Sequence, residues 1–125
     1  MPTLQELLSS AKNEVPTVTA EEAHELISGR DALLVDVRDA PELAEEGKLR
    51  GAVNVSRGML EFRADPGGSY HNPEFRKERP VILYCASGGR SVLAGKTLRD
   101  MGYAEVYNLG GFKGAAAEGF PTESA

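Results

Sequence analysis

Cysteine is nearly absent: among 125 residues only Cys85 carries a thiol, and there is no tryptophan. One thiol closes no internal disulfide, so stability has to come from a buried core, for which a chain of this length suffices. The two histidines, His24 and His71, are too few and too scattered to make a metal-ligand cluster with one cysteine, and no metal site is expected. Basic residues are outnumbered, 14 Lys and Arg against 19 Asp and Glu, and no basic run occurs, which argues against a nucleic-acid partner. No apolar run approaches the roughly 18 residues of a membrane span, and Met1 to Leu4 lack a basic region leading into an apolar one. A cytoplasmic protein with a reduced thiol, without membrane or nucleic-acid partners, is the expectation.

Glycine is present in some excess, with pairs at Gly67–Gly68, Gly88–Gly89 and Gly110–Gly111 that mark close backbone approaches. Thr3 and Glu6 have capping-box spacing before Leu4, Leu7, Leu8 and Ala11, so residues 3–13 read as an amphipathic helix serving as lid, interface or packing. Thr19 and Glu22 repeat that spacing, with a stop at Gly29. Residues 32–37 form an apolar run broken by Asp36, as expected of a central strand covered on both faces. Asp39 caps a helix with Pro41 in its first turn that runs to Gly47, and residues 52–55 make a second strand. In the irregular stretch that follows, Met59, Leu60 and Phe62 suggest one helical turn and residues 73–77 a short helix. Residues 81–84 are a third buried run, residues 91–101 a helix, residues 105–108 a strand and residues 112–118 a last short helix. Strands separated by helices imply a mainly parallel sheet with helices on both faces.

The third apolar run ends at Cys85, passes through Ala86, Ser87, Gly88 and Gly89, reaches Arg90 and enters a helix at Ser91. Small residues let several N–H groups converge on one centre, and the helix start adds the positive end of its dipole. Arg90 contributes a permanent charge. Such surroundings lower a thiol pKa and make the thiolate, the nucleophilic form, available near neutrality. Without that loop Cys85 would read as a small buried hydrophobe at a strand end.

Residues 85–91 resemble the active-site loop of single-domain rhodanese sulfurtransferases. Leu34, Val35, Asp36, Val37, Arg38 and Asp39 resemble the family's early Asp-x-Arg strand, and Gly51 to Val55 its Gly-Ala-x-Asn strand. Leu109, Gly110, Gly111 and Phe112, with Gly119, Phe120 and Pro121, resemble its C-terminal signature. The resemblance implies an α/β, rhodanese-like domain at residues 17–122 with a five-stranded, mainly parallel sheet, preceded by an N-terminal helical extension at residues 1–16. It also implies ping-pong transfer of a sulfane sulfur through a Cys85 persulfide, with no separate cofactor. A small anionic donor such as thiosulfate, or a persulfide, would supply the sulfur, and cyanide, a thiol or a sulfur-relay protein would accept it. The amides of Ala86, Ser87, Gly88, Gly89, Arg90 and Ser91 would hold the terminal sulfur, and Arg90 would attract the anion.

Related phosphatases and arsenate reductases carry five residues between cysteine and arginine, whereas this chain has four, which favours one sulfur atom over a tetrahedral oxyanion. A carrier module that hands its persulfide to a protein is the alternative, and a cysteine phosphatase the remoter one. Two positions depart from the family pattern: Lys48 stands where a histidine is frequent, and Ala115 where a tryptophan is. Asp36 and Arg38, two apart on a strand, can share a face as an ion pair supporting the loop. Gly95, Lys96 and Thr97 do not make a phosphate loop, because Arg90 occupies the position of the required earlier glycine. Arg57, Arg63 and Arg76 read as a solvated polar face, His24 as a helix-surface residue, and His71 is not needed as a base. Whether His71 or Arg57 lines the site is left to the structure.

Overall fold

A computed structural model describes all residues, 1–125. Helices α1 (Leu4–Glu14) and α2 (Ala20–Arg30) start in the same way. Thr3 accepts the Glu6 amide at 3.1 Å while its own amide donates to Glu6 at 2.9 Å, and Thr19 and Glu22 repeat both bonds. Helix α2 runs past Gly29 and ends where Asp31 turns left-handed, with φ of 55°. Aspartate tolerates that region better than most residues, and Arg79 holds it there by donating to the Asp31 carbonyl and carboxylate.

The chain continues through β1 (Leu33–Asp36), α3 (Ala40–Glu46), β2 (Lys48–Leu49), β3 (Val53–Asn54), a 3₁₀ turn at Arg57–Met59 and α4 (Leu60–Ala64). After a long irregular stretch come β4 (Val81–Cys85), α5 (Gly89–Asp100), β5 (Val106–Gly111), α6 (Phe112–Ala117) and β6 (Thr122–Glu123). Residues 73–77, read from sequence as a short helix, form separate turns instead. Asn72, which precedes Pro73, is biased away from helical backbone, and its side chain caps the Glu74 amide at 2.9 Å.

Strands β3, β1, β4 and β5 form a parallel sheet in that order, and a parallel bridge from Thr17 to Asn108 occupies the fifth position beyond β5. Strands β2 and β6 pair antiparallel beside it. Alternate residues divide the core between two faces. Leu33, Val35, Val81, Leu83 and Cys85 join Ala11, Val15, Val92 and Leu98 on one face, and Leu34, Ile82 and Tyr84 join Ala23, Phe112 and Phe120 on the other. Both faces are therefore dry, which is why β1 and β4 are apolar without interruption except for Asp36. No helix is long and apolar enough to cross a membrane.

Candidate active site

Strand β4 delivers Cys85 to the carboxyl edge of the sheet, next to Gly111 of β5. Only residues 86–88 lie between strand and helix. Gly88 takes a φ of 100° and caps α5, which starts at Gly89, two residues earlier than the sequence suggests. Of the Gly88–Gly89 pair only the first needs the left-handed region, so Arg90 and Ser91 fall in the first helical turn, where backbone amides are free.

Cys85 is fully buried, at 0% exposure. Its Sγ accepts the Gly88 amide at 3.0 Å and the Ser91 hydroxyl at 3.4 Å. Burial pushes the thiol pKa up. The Ser91 hydroxyl and the amides of Ser91, Ser87 and Gly88 together outweigh burial, the largest single cause, and hold the thiol below its ordinary value.

Ser91 is itself held. Its Oγ lies 2.8 Å from Asn108 Oδ1 and 3.1 Å from the Gly88 carbonyl. Asn108, also buried, donates from Nδ2 to the Gly88 carbonyl at 3.3 Å and accepts the Gly110 amide at 3.0 Å. A bulge at Leu109 aims this residue: Leu83 pairs with Asn108, but Tyr84 pairs with Gly110. The glycine pair that follows meets the cysteine loop backbone to backbone. A Cβ on Gly111 would sit 2.5 Å from the Ala86 carbonyl oxygen, and one on Gly88 would sit 3.3 Å from Gly110 Cα.

Arg90 forks onto Glu42 of α3, with both nitrogen–oxygen distances 2.9 Å. Glu42 Oε2 also accepts the Asp39 amide at 2.9 Å, so one carboxylate joins the start of α3 to the start of α5. Arg90 holds the Glu42 carboxyl down at about 2, and Glu42 raises the guanidinium in turn.

Asp36 and Arg38 are both fully buried and paired at 2.8 Å. They meet around a bend rather than across a pleat, because β1 ends at Asp36 and the Arg38 side chain folds back over its carboxylate. Arg38 also reaches Glu46 and the Gly47 carbonyl and lies 4.5 Å above the Phe112 ring and 5.7 Å above that of Tyr84, the neighbour of Cys85. Other sequence candidates have partners elsewhere. His71 Nε2 is 3.1 Å from the Phe75 carbonyl, Arg57 bonds Glu61 and Thr97, Arg76 pairs with Asp31 and Glu78, and His24 is exposed on α2. Lys48 bonds the Ala52 carbonyl and Glu123, and Ala115 is buried beside Phe112 and Phe120. Glu42 and Asn108 are the site neighbours that sequence reading did not single out. A polar residue inside the apolar β5 run was the one available signal for Asn108.

The chain is thus an α/β protein with a parallel sheet that carries a buried thiol at its carboxyl edge, beside the start of a helix. The chain belongs to the family of the rhodanese-like domain, whose model matches residues 19–118. It is 34% identical over 93 residues to the thiosulfate sulfurtransferase GlpE of Coxiella burnetii, covering 74% of this chain and 78% of that protein. The uncharacterised protein YqhL of Bacillus subtilis is 42% identical over 85 residues, which are 67% of this chain and 60% of YqhL. Among solved structures, a Rhodopseudomonas palustris protein of unknown function, described as a possible tyrosine phosphatase, superposes with a TM-score of 0.89 at 36% identity. The match covers 98% of this chain and 96% of that one. Sulfurtransferases are thus among its relatives, and sulfur donors and acceptors are the general substrate class of such relatives.

Proposed function

We propose that this chain is a sulfurtransferase that carries a sulfane sulfur on Cys85. The reading rests on the reach of the loop donors. Gly88 N–H and the Ser91 hydroxyl end on Sγ, at 3.0 and 3.4 Å, and favour the thiolate that must attack the donor. The four residues between Cys85 and Arg90 make a short loop that suits one added sulfur.

The Cys85 thiolate attacks the outer sulfur of a donor. With thiosulfate the donor S–S bond breaks and sulfite leaves with the electron pair; with a persulfide a thiolate leaves. The Cys85 persulfide, stabilised by the amides of residues 86–91, is then attacked at its terminal sulfur. Cyanide takes that sulfur as thiocyanate, a thiol takes it as a persulfide, and Cys85 departs as the thiolate the cradle already stabilises. Asp36 and Arg38 support the loop from beneath Tyr84 and do not touch the reacting atoms. The same chemistry serves a carrier that hands its sulfur to a relay protein.

Intact mass measurement after incubation with thiosulfate or a low-molecular-weight persulfide is expected to show one added sulfur, mapped to Cys85 and removable by cyanide. Cys85→Ser should accept none, because an alcohol forms no persulfide. Failure of every donor to load Cys85, with phosphate released from an aryl phosphate instead, would overturn the reading in favour of a phosphatase like the one suggested for the Rhodopseudomonas neighbour.

A further inference from the structure

The cationic group nearest the loop is already matched. Arg90 gives both terminal nitrogens to Glu42, and Glu42 is fixed for this task by the Asp39 amide on its Oε2. The pair is partly open to solvent, with side-chain exposures of 38% and 32%, and so lies at the surface beside the loop rather than in the core. Asp39 adds a second carboxylate close enough to act on Arg90. Arg90 directly precedes Ser91, whose hydroxyl reaches the Cys85 sulfur at 3.4 Å. The cation at the start of α5 is therefore matched by a carboxylate before any donor binds. The direct contacts on the sulfur come from elsewhere: the Ser91 hydroxyl and the Gly88 amide end on Sγ.

We infer that Glu42 is a specificity-determining residue that neutralises Arg90, so that the site disfavours dianionic sulfur donors such as thiosulfate and favours persulfides of low net charge. The inference rests on the sulfurtransferase reading and names the donor class within it. Glu42 touches no reacting atom and acts through Arg90, as a positioning residue. Interaction with an unmatched arginine grows in proportion to donor charge and weakens as salt screens it. The consequence is a graded one: releasing Arg90 should help each donor according to the charge it carries.

Three donors separate the effect. Thiosulfate carries two negative charges, methanethiosulfonate carries one with the same kind of S–S bond and a sulfinate leaving group, and ionised cysteamine persulfide has a net charge of zero. Glu42→Gln keeps the shape of the side chain and removes its charge. On this variant kcat/KM should rise about tenfold for thiosulfate and about threefold for methanethiosulfonate, mostly through KM, with the cysteamine persulfide unchanged. Glu42→Asp, which retains the charge, should keep the wild-type ranking. Wild-type protein supplies a measurement independent of any variant: its kcat/KM for thiosulfate should not fall as ionic strength is raised, whereas a free guanidinium would make it fall.

Equal changes for all three donors in Glu42→Gln, no gain with thiosulfate, or a wild-type rate that falls with salt would each overturn the charge role. Those outcomes differ from failure of the underlying function, in which no donor adds sulfur to Cys85 at all.

Discussion

Ser91 faces three acceptors, the Cys85 sulfur, the Gly88 carbonyl and Asn108 Oδ1, with a single hydroxyl proton. Against a neutral thiol the shortest contact, to Asn108, wins; against a thiolate the charge draws the proton to sulfur, since hydrogen bonds to ionised groups are the stronger ones. In the proposed transfer the thiolate is the attacking form; the Cys85 pKa lies below the ordinary value, and Ser91 is the largest favourable cause. Ser91→Ala should therefore raise the pKa and move the acid limb of the pH–rate profile upward. Less thiolate would then be present near neutrality, with activity recovering as pH is raised. Thiolate absorbance titrated against pH checks this directly. At this scale the sequence exposed Cys85 and its loop because the signal is local. Glu42 lies 48 residues from Arg90 and Asn108 17 from Ser91, and neither carries a mark that says which residue it will meet.

Among the elements, the meeting of the 86–88 turn with Gly110 and Gly111 governs the shape of the site. Gly111→Ala would put a methyl group 2.5 Å from the Ala86 carbonyl oxygen, a backbone atom that cannot swing aside as a side-chain tip would. Stability should drop by about 1–3 kcal/mol, and the loop should be pushed off Sγ. Thermal unfolding together with sulfur loading of Cys85 tests both halves, and a variant with wild-type values for each would show that the loop has slack here. Elements with strong periodicity or capping boxes, α1, α2, β1 and β4, stand within a residue or two of where the sequence puts them. The differences arise where tertiary partners decide. Arg79 lets α2 end at Asp31, Gly88 alone absorbs the turn so that α5 begins at Gly89, and Asn72 diverts residues 73–77 into turns. Strands β2 and β6 have two residues each, too short for any periodic signal, and exist because residues 122–123 fold back beside residues 48–49.

Across the molecule, α1 is seated on the helix that carries Arg90 and Ser91. Ala11 and Val15 belong to the core shared with Val92 and Leu98, and Gly95 leaves a notch in α5 that Val15 fills: an added Cβ would lie 2.9 Å from a Val15 methyl. Val15→Ala should cost about 2 kcal/mol, read as a lowered unfolding midpoint, while the thiol titration of the folded protein stays unchanged because the cradle atoms are untouched. An unaltered midpoint would show that the notch collapses without penalty. The segment just beyond α1 reaches further. Asn108 donates its amide to the Pro16 carbonyl and accepts the Val18 amide on its own carbonyl, while its side chain holds Ser91 and Gly88. One residue is thus both the last rung of the sheet and the first brace of the sulfur cradle. Breathing at that outer edge, the kind of local opening that amide exchange records, slackens the grip on Ser91 and with it the acidity of Cys85.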